Sequence, residues 1–292
     1  IKVRLRPTFE KKGIDLIEVR ASKVDTAANQ VLLEDGSMIA YDYLVIATGP
    51  ELAFDEIEGF GPDGGHTSSI CTTDHAADAW DKWQDFAKNP GPIVVGAVQG
   101  ASCYGPAYEF AFILDTDLRR RGIRDKVPMT FVTPEPYIGH LGLDGVGDTK
   151  SLLESEMRNR HIKFITSARV SKFTDDAVFV EEVAEGGEVT RTREIEQSYT
   201  MMLPAFRGVG AVSDVEGLVN PRGFVTVDKK QRNAAFPNVF SVGVCVAITT
   251  VGDYQIPVGV PKTGFMIESM VRAKDHNIRS LLDGNEPNCE AT

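Results

Sequence analysis

Several absences narrow what this chain can be. It has no excess of basic residues: 31 Lys and Arg stand against 42 Asp and Glu, a net charge of −11. Tracking a phosphate backbone needs a clustered basic surface, so nucleic acid is excluded as a partner. No apolar run reaches the roughly 18 residues that span a bilayer, and the opening stretch IKVRLRPTFEKK contains no signal-peptide core. Cysteine is scarce. Cys71, Cys103, Cys245 and Cys289 lie 32, 142 and 44 positions apart, which fits neither a paired CxxC metal site nor a small disulfide scaffold, so no metal is expected. There is no internal repeat and no low-complexity tract.

What remains is an ordinary globular composition, 42% hydrophobic and 25% charged over 292 residues, enough for two domains with their own cores. Strands are expected at 14–19, 30–33 and 39–47, the last two as a hairpin around Glu34-Asp35-Gly36-Ser37. The apolar run YDYLVIATGP reads as a buried parallel strand ending in Ala47-Thr48-Gly49-Pro50. From Pro92 the pattern is strand (92–97), helix (105–120), strand (127–133), helix (149–160) and strand (162–170), a βαβαβ unit. A hairpin tipped by Gly186-Gly187, a buried strand at 199–206, short strands at 224–227 and 239–244, and a helix from about 263 complete the order. That helix carries an apolar stripe of Ile267, Met270, Val271, Ile278, Leu281 and Leu282, and the tail DGNEPNCEAT reads as loose.

The stretch GAVQGASCYGPAYEF, residues 96–110, sits where a strand meets a helix, the setting of a phosphate-binding turn. Its glycines run Gly96-x-x-x-Gly100-x-x-x-x-Gly105, longer than the tight fingerprint, and the next strand ends TFVTPEP with prolines flanking Glu135. Nicotinamide binding is therefore disfavoured. Cys103 takes the phosphate position, just before a helix N-terminus whose dipole favours a thiolate. Glu109, six residues on, is either a base for the thiol or a partner of that dipole.

Taken in order, YDYLVIATGP, ICTTDHA, GASCYGPAYEF, TFVTPEPYIGHLG, MMLPAFRG and GVPKTGFMIE resemble the sulfide:quinone oxidoreductase family of flavoproteins, over residues 12–282. The resemblance implies an α/β protein of two Rossmann-like three-layer domains: residues 1–78 and 207–292 would bind FAD, and 79–206 would form a second dinucleotide-binding-like domain carrying the sulfide-site cysteine. It also implies that the flavin-binding Gly-x-Gly-x-x-Gly turn precedes Ile1 and that amphipathic membrane helices follow Thr292. The whole protein would then sit peripherally on a membrane. This piece is expected to be soluble and to hold FAD poorly; assembly with copies of itself stays open.

The resemblance makes Cys103 the thiol that takes up sulfide sulfur as a persulfide. The family's further cysteine near VDKKQRN is replaced by Lys230 and Gln231, leaving Cys71 as second choice and Cys245 either redox-active or packing. His75 and His140 match histidines placed near flavin and quinone, suited to proton delivery. Lys262, Phe265 and Phe206 would touch the quinone. FAD would meet Ala47-Thr48-Gly49-Pro50, Gly243-Val244, where Val244 replaces an acid, and Lys262-Thr263-Gly264, whose helix start stabilises negative charge. The implied reaction passes electrons from sulfide through FAD to a membrane quinone and releases polysulfide. Alternatives are a flavocytochrome-type sulfide dehydrogenase, a type II NADH dehydrogenase-like flavoprotein, or a flavin-free scaffold.

Overall fold

A computed structural model describes residues 3–292. They form two compact units: one comprises the chain through Gly49, Gly208–Ala247 and Glu268–Thr292, the other Pro50–Arg207 and Ile248–Ile267.

In the first unit, Ala21–Asp25, Gln30–Leu33 and Met38–Ala40 make an antiparallel sheet. Its turns follow from local chemistry. The Asp25 carboxylate accepts from the N–H groups of Ala27 and Ala28 at 3.1 and 2.9 Å, and Asp35 accepts from Ser37 N–H at 2.9 Å. Leu44–Ile46 and Val239–Ser241 pair in parallel. Val24, Ile46, Leu218, Val225, Val239 and Cys245 form the core between these elements.

The strand expected at 14–19 does not form. A short helix, Arg6–Lys11, with proline in its first turn precedes it, and Ile14 and Ile17 are about half exposed, 48% and 49%. Residues 224–227 supply only isolated bridges at Val225. The helix Gly264–Leu282 buries Met270, Ala273 and Asn277, while Val271 and Leu282 face solvent. Asn277 also overturns the loose tail: its amide donates to Lys230 O and Cys289 O at 3.0 and 2.7 Å and accepts from Asn288 and Cys289 N–H. A buried Asn with every group engaged pins the chain end.

The second unit is built on a parallel sheet in the order Tyr199–Leu203, Ile93–Ala97, Met129–Val132, Ile162–Ile165. Helices Tyr104–Arg120 and Thr149–Asn159 supply the crossovers. A Cβ at Gly96 would lie 1.8 Å from Val132 O, so only glycine lets these strands close. An antiparallel sheet, Val189–Glu196, Ala177–Val183 and Ala168–Phe173, packs on one face through Val94, Val132, Met202, Val170, Phe173 and Val180. The other face packs on helices through Trp83, Tyr104, Leu114, Leu118, Phe131 and Met201. The single strand expected over 162–170 is two, Ile162–Ile165 and Ala168–Phe173, in different sheets. The break is at Ser167, held at φ 47° by its N–H bond to Glu135 O.

Residues 50–78 and 248–267 group with this unit, whereas the sequence reading assigns them to the flavin half. Pairing explains the difference. Glu51–Leu52 is antiparallel to Phe206–Arg207, Ser68 bridges Met201, and Gly259 hydrogen-bonds Ala101. The helix Thr73–Phe86, which the sequence reading passes over, packs Trp83 edge-on and Phe86 tilted against Tyr199. Its signals are present: Thr72 Oγ1 caps it by accepting from His75 N–H at 3.1 Å, and Ala79, Trp83 and Phe86 recur at helical spacing.

Candidate functional site

The loop after Ile93–Ala97 is closed by the chain itself. Gly100, at φ 75°, donates its N–H to Pro257 O at 2.6 Å, and Ala101 O accepts from Gly259 N–H at 2.9 Å and from the Tyr104 hydroxyl at 2.6 Å. A Cβ on Gly259 would lie 2.8 Å from Ala101 O and from Ser102 Cβ, so glycine is needed for this approach. Pro257 O thus takes the Gly100 N–H, a donor that a phosphate at this turn would otherwise use.

Cys103 is the residue before the first turn of Tyr104–Arg120, half-buried, with no capping bond from its sulfur. Cys71 is half-buried too, its N–H bound to Ser69 Oγ at 3.2 Å, and both cysteines pack against the same core cluster. The sequence argument favours a thiolate at Cys103; the structure reverses the balance. Burial pushes the Cys103 thiol up, and negative charge on Cys71 pushes it further. The Ser102 hydrogen bond and the positive charge of Lys262 pull it back only in part. Burial likewise raises Cys71, opposed by Ser69. Negative charge on Cys71 and positive charge on Lys262 both act on the Cys103 sulfur, in opposite senses.

Glu109 does not join that group. It is exposed, and six residues along a helix places it about 9 Å further and two thirds of a turn round. There it lines a groove of about 870 Å³ with Trp80, Trp83, Tyr108, Phe112 and Ile113. Glu135, by contrast, is 0% exposed and accepts from Tyr108 Oη at 2.8 Å, Thr133 Oγ1 at 2.7 Å and Leu141 N–H at 2.6 Å. Burial raises its pKa against these three donors. Such an acid is closed to a ribose. Its role escapes sequence reading because Tyr108 is 27 positions away.

His140 is 0% exposed with both ring nitrogens engaged. Nδ1 accepts from Gly142 N–H at 3.1 Å, which assigns the proton to Nε2, bonded to Tyr254 Oη at 2.8 Å. Burial lowers its pKa, and Asp144, 4.0 Å away, opposes this weakly. A neutral ring so held is not a free proton donor, contrary to its expected role. His75 is more open: Nε2 lies 3.6 Å from Asp63, and Nδ1 is buried without a hydrogen-bond partner among the described residues.

Cys245 is 1% exposed in the first unit, its sulfur 3.3 Å from Val242 O and 3.4 Å from Ser241 Oγ, an environment of packing. Ala47-Thr48-Gly49-Pro50 and Gly243-Val244 follow the carboxyl ends of the parallel strands Leu44–Ile46 and Val239–Ser241. Gly49 and Gly243 have φ of 71° and 86°, with nothing within 4 Å of a built Cβ. In the second unit Thr263 Oγ1 accepts from Met266 N–H at 3.4 Å at the start of the Gly264–Leu282 helix. Lys262 precedes it, Phe265 is 81% exposed, and Phe206 is half-buried in its two-residue strand.

The family model described as pyridine nucleotide-disulphide oxidoreductase matches residues 8–263. A sulfide-quinone reductase of Aquifex aeolicus is 43% identical over 289 residues, 98% of this chain and 65% of the relative. Its crystal structure matches with a TM-score of 0.91 at 42% identity, covering 97% of this chain and 64% of that one. A mitochondrial sulfide:quinone oxidoreductase of Dictyostelium discoideum is 27% identical over 241 residues, 80% of this chain and 51% of the relative. The chain thus spans under two thirds of the length of these relatives.

Proposed function

The chain belongs to the pyridine nucleotide-disulphide oxidoreductase family, and on that footing we propose that it oxidises sulfide at Cys103, with FAD as electron carrier and a quinone as acceptor. The observation that carries the reading is Cys103 beside a loop whose Gly100 N–H is already taken by Pro257 O, with Cys71 and Lys262 both acting on its sulfur. The similar proteins are named for sulfide and quinone, in keeping with this.

The residues present fit FAD. Open space beside Gly49 and Gly243, at the carboxyl edge of a parallel strand pair, suits the ligand crevice of a doubly wound sheet. Thr48, Gly49 and Gly243 would hold the nucleotide, with Val244 offering backbone only. When bound, FAD would supply a two-electron acceptor between the thiols and quinone.

The chain's own part is sulfur transfer. Hydrosulfide attacks the Cys103 sulfur of a disulfide between Cys103 and a second thiol; the new S–S bond leaves the incoming sulfur on Cys103 as a persulfide, the old S–S bond breaks, and the second thiol leaves as a thiolate. Lys262, which acts on the Cys103 sulfur, would stabilise the persulfide anion there, and the half-buried site keeps it from bulk water. The disulfide is the two-electron oxidant of the incoming sulfur, and its re-formation from the two thiols would pass those two electrons on to quinone, so hydrogen sulfide and quinone become sulfane sulfur and quinol. We place the whole protein at a membrane surface, where the quinone is found.

The test is sulfide-dependent reduction of decylubiquinone by the FAD-loaded chain. Cys103→Ser should abolish it and Cys245→Ser should leave it; retention in Cys103→Ser overturns the reading.

A further inference from the structure

The groove of about 870 Å³ runs along the Tyr104–Arg120 helix, with Thr73–Phe86 as its other wall. Gly105, Glu109, Phe112, Thr116 and Arg120 line it at spacings of three or four, so it follows one face of the helix for about 22 Å. One end lies beside the thiols. Gly105 is two residues past Cys103, and a Cβ built on it meets nothing within 4 Å, so the helix start leaves open space there. Ile70, the residue before Cys71, lines the same groove, and Ile70, Cys71 and Cys103 pack against one core cluster. Trp80 and Ile113, also in the lining, are 58% and 54% exposed, and large apolar side chains sharing one concave surface mark a binding site.

The lining selects what can enter. Trp80, Trp83, Tyr108 and Phe112 supply aromatic rings, which attract polarisable sulfur. The charged side chains of the lining are Glu109, Asp117 and Arg120, two carboxylates against one guanidinium. Asp117 is already engaged, accepting from Trp83 Nε1 at 2.8 Å and from Arg121 at 2.6 Å. Glu109 stands one turn beyond Gly105 on the same face, so an anion moving along the groove toward the thiols meets a carboxylate. An uncharged ligand does not.

We propose that this groove is a binding site for uncharged sulfane sulfur exchanged with Cys103. Sulfur of this kind is poorly hydrated, and an apolar channel that starts at the thiol holds it out of water. Such a cargo arises only if Cys103 carries sulfur as proposed above, so binding is measured apart from turnover.

Trp80 and Trp83 are the chain's two tryptophans, and both line the groove, so their fluorescence reports its occupancy. The probe is dipropyl trisulfide, titrated into the Cys71→Ser/Cys103→Ser/Cys289→Ser chain, whose remaining thiol, Cys245, is 1% exposed in the other unit. Quenching should saturate at one molecule per chain. Dibutyl ether, of the same length but without sulfur, should bind about tenfold more weakly. Ile113→Glu, at an exposed helix position that tolerates Glu, should weaken trisulfide binding about tenfold.

The link to Cys103 is measured with that thiol restored. Its thiolate attacks the trisulfide: one S–S bond forms, one breaks, and propyl persulfide anion leaves. Ile113→Glu should slow this step about tenfold and leave iodoacetamide alkylation of Cys103 unchanged. Gly105→Leu, whose side chain fills the open space, should slow it similarly. Absent or unsaturable quenching, equal binding of the ether, or an unchanged exchange rate in Ile113→Glu overturns the site. So does equal slowing of iodoacetamide in that variant, which marks a disturbed thiol rather than a blocked groove. Should Ile113→Glu not fold, Gly105→Leu decides: unchanged binding and exchange overturn the site. If sulfide-dependent quinone reduction is retained in Cys103→Ser while the trisulfide still binds, the proposed function falls and the groove stands.

Discussion

Gly100 gives its N–H to Pro257 O at 2.6 Å, and this bond closes the loop in which a dinucleotide's phosphates would find their donors. With Glu135 held by Tyr108, Thr133 and Leu141, neither a phosphate cradle nor a ribose acid is free in this half. NADH should therefore show no saturable binding up to about 1 mM, the weak end of ordinary affinities, in calorimetric titration. It should reduce no bound flavin.

Lys262 acts on the Cys103 sulfur against the effect of burial. Lys262→Gln should raise the thiol pKa further and slow iodoacetamide alkylation of Cys103 at pH 8 by roughly threefold, leaving Cys289 unchanged. The full pH–rate profile checks this, since a merely structural effect would alter the plateau rather than the midpoint.

Asp115 is fully buried and holds Arg119, Arg124 and Arg160 at 2.9, 2.6 and 3.0 Å. Burial raises its pKa, but the three guanidinium hydrogen bonds outweigh that and leave it lowered. A carboxylate depressed in the folded state stabilises above its unfolded pKa, and that stability is lost as pH falls through the folded value. Asp115→Asn should cost roughly 3 kcal/mol, seen as a lower urea midpoint with unchanged slope.

His140 gives the same sense of pH dependence at a higher window. Its folded pKa is lowered by burial, so its contribution is complete above the unfolded value of about 6.5 and is lost as pH falls through the folded one. Thermal melts from pH 7.5 to 5 should show the wild-type chain losing stability where His140→Gln loses less.

The parallel sheet, its two crossover helices and the Cys103 loop were legible because each rests on local periodicity and a strand-to-helix turn. The helix Thr73–Phe86 carried its cap and spacing in plain view, and only the pull of the neighbouring motif hid it. The roles of Glu135, Pro257 and Tyr254 were not legible. Their partners lie far along the chain, Tyr254 being 114 positions from His140, and no local pattern encodes such a pairing. Thiol ionisation was misjudged for a related reason: a helix N-terminus is visible in sequence, whereas burial, which outweighs it at Cys103, is not.

The central claim is that Cys103 handles sulfur. The most direct measurement is to expose the chain to sulfide with a mild oxidant, block free thiols, and locate added sulfur by peptide mass spectrometry. The account predicts one or more extra sulfur atoms on the peptide carrying Cys103, absent in Cys103→Ser. Added sulfur confined to Cys245 or Cys289, or none at Cys103, would contradict it.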